Sequence, residues 1–320
     1  MAYLDEEERR RARLRNIVQS CALVGGIGVI AAVSAYALFG ATGVIWALVF
    51  VGLFSAIGPR VAPEAIMRMF KARPVDPGSG HNLIRLVNTL AARAGLKSTP
   101  RVYIVPSQTM NAFAVGTPSR YSVGVTDGLL ARLDARELAG VLAHEITHVR
   151  NNDIWVMSLA DVLSRFTRSL SFFALLLLVF SVPNTIFTGA SIPWLAIALM
   201  YFAPTLSSLL QLALSRSREY DADLGGASLT GDPEGLALAL SKLDRYQGKV
   251  WEDIVMPGRR IPVPSALRTH PETAERVARL MALKRAEPAT ALYRGPWGQA
   301  SALASFSPQP PRYHWSGYWF

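Results

Sequence analysis

Two histidines four residues apart, with a glutamate directly after the first, stand in the segment VLAHEITHVRNND (141–153) as His144, Glu145 and His148. On a helix, residues four apart share one face one turn apart, so both imidazoles can reach a single ion. Zn²⁺ accepts neutral imidazole nitrogen readily, and two such ligands leave room for a third ligand and a water. Glu145 would leave the helix beside that face, where it can take a proton from the attacking water and return it to a leaving amine. The small apolar Val141, Leu142 and Ala143 ahead of His144 suit a buried helix. By average composition the five-residue pattern arises by chance in about one chain in a hundred. Two surface histidines on an ordinary helix therefore remain the alternative until a third ligand is found.

The segment SREYDADLGGA (217–227) offers one. Glu219 and Asp223 are again four apart and share a helical face. A carboxylate from Glu219 completes a two-histidine, one-glutamate site with an open position for water. Asp223 then fits behind the metal, accepting a hydrogen bond from the far nitrogen of a ligating histidine, His144 for preference. Asp221 points away from that face and reads as structural. The plain alternative, an acidic first helical turn stabilised by the helix dipole, loses most of its weight once the histidine motif stands beside it.

These residues need rigid elements to hold them. Leu83, Leu86, Val87, Leu90 and Ala94 give helical periodicity over 82–96. Short β-like runs follow at 101–105, 111–115 and 121–126, separated by turn residues. Asp134 and Glu137 form a capping box that starts a helix running to about Arg150. Asp232 and Pro233 open another helix to about Tyr246, and Pro271 a last one to about Arg285. His270, just ahead of it, could stabilise an oxyanion or cap that helix with Thr269 and Glu272, and the cap is favoured. Arg276 could assist at the same oxyanion, although a surface ion pair is the preferred expectation. His81 is expected to be solvated.

Four apolar stretches interrupt this pattern, at roughly 17–39, 44–57, 170–187 and 192–214. A bilayer span needs about 20 such residues. The first and fourth meet that best, and a buried helical hairpin is the alternative for the third and fourth. Half of the 320 residues are hydrophobic, mean hydropathy is +0.24, and the net charge is +10. An apolar yet basic chain points to a membrane protein with its positive charge on the cytoplasmic side. Arg9, Arg10, Arg11, Arg13 and Arg15 precede the first stretch, and Arg60, Arg68, Lys71 and Arg73 follow the second. Arg165 and Arg168 precede the third, Arg216 and Arg218 follow the fourth, and the intervening turns are uncharged. Every basic cluster, and the histidine motif with them, thus falls on one side, expected to be the cytosol. The first run is too long for a cleavable signal. No basic–aromatic motif supports nucleic-acid binding. The one cysteine, Cys21, excludes an internal disulfide and reads as a small buried hydrophobe.

LAHEITHVRNND, SREYDADLGGA and THPETAERVARL together resemble the HtpX group of membrane zinc metalloproteases, related to the CAAX prenyl proteases. AGLKSTPRVYI, NAFAVG and VGVTDGLL match the same pattern upstream, and the resemblance covers roughly 17–285. It implies a mainly α fold with a small β-sheet, a gluzincin-like zinc metalloprotease domain joined to about four transmembrane helices. By position it makes His144, His148 and Glu219 the ligands of one Zn²⁺ and Glu145 the base. It also likens Asn111, Ala112, Phe113 and Ala114 to a strand beside the cleft, where a peptide could add as a further strand. The implied organisation is a basic cytosolic N-terminus (1–16), a transmembrane hairpin (17–58) and a linker (59–80). The first catalytic part (81–168), a second hairpin (169–214) and the second catalytic part (215–286) follow. The tail (287–320), rich in proline and aromatics, and the acidic–basic start have no counterpart in the family pattern. The implied activity is cytosol-side cleavage of misfolded or damaged proteins of the cytoplasmic membrane, with protein substrates and the bilayer as partners and no nucleic acid. A prenyl-peptide protease and a non-catalytic zinc-bearing scaffold are the alternatives.

Overall fold

The computed structural model describes residues 6–57, 62–78, 80–189, 194–255 and 273–283. In chain order their elements are α1 (Glu6–Ile57), α2 (Pro63–Met69), β1 (Arg73–Pro74), α3 (His81–Arg93), β2 (Arg101–Val105), β3 (Ala112–Thr117) and β4 (Arg120–Thr126). Then come α4 (Asp127–Leu130), α5 (Ala135–Arg150), α6 (Asp153–Thr188), α7 (Trp194–Thr230), α8 (Pro233–Val255) and α9 (Thr273–Ala282). Mostly helix with one small sheet is the expected class. His270, the proline-rich loop before it, the tail over 287–320 and the side chains of the N-terminal arginine cluster lie outside the described residues.

Backbone contacts divide the chain into two units. The first comprises Met1–Glu7, Val61–Ile154 and Arg218–Phe320. Its sheet has the order β1-β2-β4-β3. β2 and β4 run parallel with Val102 opposite Val123, while β3 lies antiparallel to β4 with Ala112 opposite Val125. β4 is therefore central, and its residues Tyr121–Thr126 are all buried. Among the described residues β3 is an edge strand, paired with β4 on one side. Arg73 and Pro74, read from sequence as linker, pair with Ile104 and Tyr103 as β1. α2 also falls in that stretch. Proline at its first turn is a start signal, but seven residues are too few to show a helical period.

α5 packs on the sheet through Leu138, Leu142 and Ile146, which meet Leu86, Leu90, Val123 and Val125 in one core. Its start is fixed by the expected capping box. The Glu137 N–H donates to Asp134 Oδ1 at 2.9 Å and the Asp134 N–H donates to Glu137 Oε2 at 2.9 Å, a motif worth about 1 kcal/mol. Lys242 Nζ also reaches Glu137 Oε2, at 2.6 Å, and so ties α8 to that first turn. The helix is buried almost all round, which is why its periodicity alone would not reveal a single inner face. It ends at Asn151. Asn152 takes the left-handed conformation (φ 59°) that asparagine tolerates, and the chain turns at once into α6 at Asp153.

The second unit comprises Glu8–Arg60 and Trp155–Ser217. Ile27, Ala31, Ala160, Leu163 and Leu214 form one core and Ala35, Ala47 and Leu170 another, while Phe50 stacks on Phe166 with ring centroids 5.7 Å apart. Among the described residues three helices are long and apolar enough to cross a membrane, by length and composition: Ile17–Leu53, Asp153–Pro183 and Trp194–Thr230. α1 holds both of the first two apolar stretches. It breaks at Gly40, whose φ of 61° and ψ of −151° lie outside helical geometry and suit glycine. Large apolar side chains such as Phe39, Trp46, Phe180, Leu195 and Phe202 face outward. Cys21, expected to be buried, is exposed. From Ile17 onward α1 is apolar on every side, so an apolar neighbourhood in sequence did not tell which side packs.

Candidate active site

The first unit gathers His144, His148 and Glu219 into one cluster whose potential ligand atoms all lie within 4.8 Å of one another. The two Nε2 atoms are 3.2 Å apart and the rings stand edge to face at 86°. Glu219 Oε2 is 3.5 Å from His144 Nε2, and Oε1 is 4.0 Å from His148 Nε2. Tetrahedral ligands on bonds of about 2.0–2.1 Å to zinc stand about 3.3 Å apart, so these donors fit one zinc with small adjustment.

Two helices supply the ligand atoms, and two glycines let them approach. A Cβ on Gly226 would lie 3.0 Å from the His144 backbone nitrogen, and one on Gly225 would press into the Thr147 side chain, 2.8 Å from its Oγ1. Thr147 is fully buried, and its hydroxyl donates to the Ala143 carbonyl at 2.8 Å, so it has little room to yield. The pair of glycines in ADLGGA thus lets the Glu219-bearing end of α7 lie directly against the histidine helix.

The far ring nitrogens face acids. His148 Nδ1 is 2.8 Å from Asp153 Oδ2, and His144 Nδ1 is 3.0 Å from Asp223 Oδ1. The second contact is one of distance and charge, because its angle falls outside hydrogen-bond geometry. Acids at both Nδ1 atoms favour the tautomer with the proton there, which turns both Nε2 lone pairs toward the shared point. Burial by itself disfavours a charged His144, yet the Asp223 and Glu219 carboxylates outweigh it and hold its pKa up at about 10. Among the described residues, the carboxylates of Glu145, Asp153, Glu219 and Asp223 lie around the two rings, with Arg218 on Asp153 and Arg276 on Asp223 and Glu219.

Glu145 lies at the same cluster. Burial raises its pKa first of all, the two histidines work to lower it, Glu219 raises it, and a backbone hydrogen bond from Ala114 lowers it. The net upward shift moves a carboxylate toward the range in which a general base works best near neutrality. Ala114 belongs to the edge strand β3, so that strand and the glutamate meet. Phe113 packs on Phe70 with ring centroids 5.0 Å apart and covers Gly124. Ala112 is buried. Asn111 sits just before the strand, with its backbone tied to Thr126 through N–H to Oγ1 at 2.9 Å and by the Thr126 N–H to its carbonyl at 3.0 Å.

Arg276 is not the surface residue expected from sequence. It is 7% exposed. Its Nε and Nη2 grip Asp223 at 2.7 Å each, and Nη1 lies 3.0 Å from Glu219 Oε2. The basic and acidic residues around it in α9 suggested a solvated helix, and only the tertiary fold turns this one inward. Sequence reasoning also passed over Asp153 and Arg218, although both stand inside the quoted segments. The available signal was an acid five residues past His148 and an arginine directly before Glu219.

Residues 79–284 match the model of Peptidase family M48. A protein described as a protease HtpX homolog in Desulfatibacillum aliphaticivorans is 37% identical over 226 residues, which is 67% of this chain and 73% of that one. Protease HtpX of Legionella pneumophila (strain Lens) is 36% identical over 231 residues, 68% of this chain and 81% of its own length. Among solved structures, S. mikatae Ste24p aligns with a TM-score of 0.49 at 23% identity, covering 86% of this chain and 66% of that one.

Proposed function

The chain belongs to peptidase family M48 and is a metallopeptidase, and we propose that it is a zinc endopeptidase acting on misfolded or damaged membrane proteins from the cytosolic side. The observation that carries the reading is the convergence of His144, His148 and Glu219 on one point with Glu145 against them. Zinc held by those three residues would supply Lewis-acid polarisation of the scissile carbonyl and a water of lowered pKa.

The chain's own residues do the rest. A peptide added antiparallel or parallel to β3 would be aligned by main-chain hydrogen bonds, with its carbonyl carried toward Glu145. Glu145 takes the proton as the water oxygen bonds to the carbonyl carbon. It gives that proton to the amide nitrogen as the C–N bond breaks, so the products are a carboxylic acid and an amine. Asp153 and Asp223 hold the imidazoles in orientation, and Arg276 keeps Asp223 ionised. The membrane substrate class is supported by the three bilayer-length helices and by the HtpX relatives. The cytosolic side is supported by the arginines that flank each apolar stretch.

The test is hydrolysis of an unfolded protein substrate by the full chain in detergent, first treated with a chelator and then given zinc. Cleavage should vanish on chelation and return with zinc. Equal cleavage by the chelated protein would sink the metal reading. In reconstituted membranes, cutting should fall on cytosolic loops of a membrane substrate, and cleavage confined to the opposite side would sink the assigned topology.

A further inference from the structure

Asp153 is the first residue of α6 and only 1% exposed. Its Oδ2 lies 2.8 Å from His148 Nδ1, and its Oδ1 accepts from Arg218 Nη1 at 2.9 Å. Arg218 is 8% exposed and directly precedes Glu219. One buried carboxylate therefore bridges the second histidine of the motif and the residue beside the third candidate ligand, across sixty-five positions of sequence. The other histidine shows a matching chain of contacts from His144 to Asp223 to Arg276, but Asp223 already shares a helix with Glu219. Asp153 lies beyond the end of the histidine helix and ties it to α7 through Arg218. The turn at Asn152, in left-handed geometry, is what places it there.

We propose that Asp153 and Arg218 are positioning residues that set His148 and Glu219 as one unit for the metal, an inference that rests on the zinc-peptidase reading above. The carboxylate fixes the proton on His148 Nδ1, so that Nε2 presents its lone pair. Arg218 neutralises the buried carboxylate, and because it is the neighbour of Glu219 its anchored guanidinium also fixes the backbone from which that ligand projects. An ion pair that only joined two helices would contribute to folding and leave the metal affinity of the folded protein untouched.

The experiment uses the full chain in detergent and reads Zn²⁺ affinity by competition with a chromophoric chelator, beside the unfolding midpoint of the metal-free protein. Asp153→Asn should weaken zinc binding by about 10–100-fold. Arg218→Gln should weaken it within the same range although its side chain touches neither ring. The double variant should lose less than the product of the two, since both changes break one linkage. Arg218→Lys, which restores the charge, should recover part of the affinity. Unchanged zinc affinity in folded variants, with only the midpoint lowered, overturns the proposal. If Asp153→Asn does not fold, the arginine variants decide alone by the same criterion. Wild-type protein that binds no zinc would instead overturn the underlying zinc-peptidase reading, a distinct result.

Discussion

Glu145→Gln should lower the rate of peptide hydrolysis by about 10²–10⁴-fold while zinc stays bound. The substitution keeps the size of the side chain and removes its ability to accept a proton. His144, His148 and Glu219 are untouched, so the metal content should equal that of the wild type. Glutamine can still meet the Ala114 backbone, although with an oxygen of lower charge. The loss should fall on kcat more than on KM, because the proton transfer belongs to the transition state and peptide alignment along β3 does not depend on it. Full activity in the variant would assign the base elsewhere. Loss of zinc together with activity would make Glu145 a structural part of the site instead.

Arg276→Met should destabilise the metal-free protein by about 3–5 kcal/mol, the usual cost of removing one partner from a buried ion pair. The methionine can fill much of the volume but leaves Asp223, 4% exposed, and Glu219 facing one another without their shared cation. Two consequences separate this from an ordinary packing defect. Zinc should restore part of the lost stability, since a bound cation supplies charge to the same carboxylates and stabilises the folded state by mass action. Asp223→Asn added to Arg276→Met should also recover part of it, by removing the uncompensated charge. Unfolding midpoints of the three proteins with and without zinc check both. Equal midpoints for wild type and Arg276→Met would show that the buried pair carries no weight.

Much of this site was legible because its chemistry is local in sequence. His144, Glu145 and His148 lie within one helical turn and a half, and Glu219 and Asp223 share the next such period, so spacing alone put each set on one face. The capping box at Asp134 and Glu137 is likewise a three-residue signal, and the structure shows both of its hydrogen bonds. Arg276 and Asp153 were harder because their partners are remote in the chain. Nothing near Arg276 distinguishes it from Arg279, which pairs with Glu275 at the surface, until the fold brings Asp223 to it. Asp153 follows the histidine helix, and its role depends on the sharp corner at Asn152. In the second unit, composition announced apolar helices but could not say which face of α1 packs, and Cys21 was misplaced for that reason. The short elements α2 and β1 fell below the length at which periodicity speaks.

The central claim is that one zinc sits between His144, His148 and Glu219. Zinc-edge X-ray absorption on the purified, zinc-loaded chain, wild type beside Glu219→Gln and His148→Ala, tests it most directly. One zinc per wild-type chain is expected, with nitrogen and oxygen ligands at about 2.0–2.2 Å, the multiple-scattering signature of two imidazoles, and one imidazole fewer or no zinc in His148→Ala. A stoichiometric zinc whose spectrum is the same in all three proteins, or no zinc in the wild type, would contradict it.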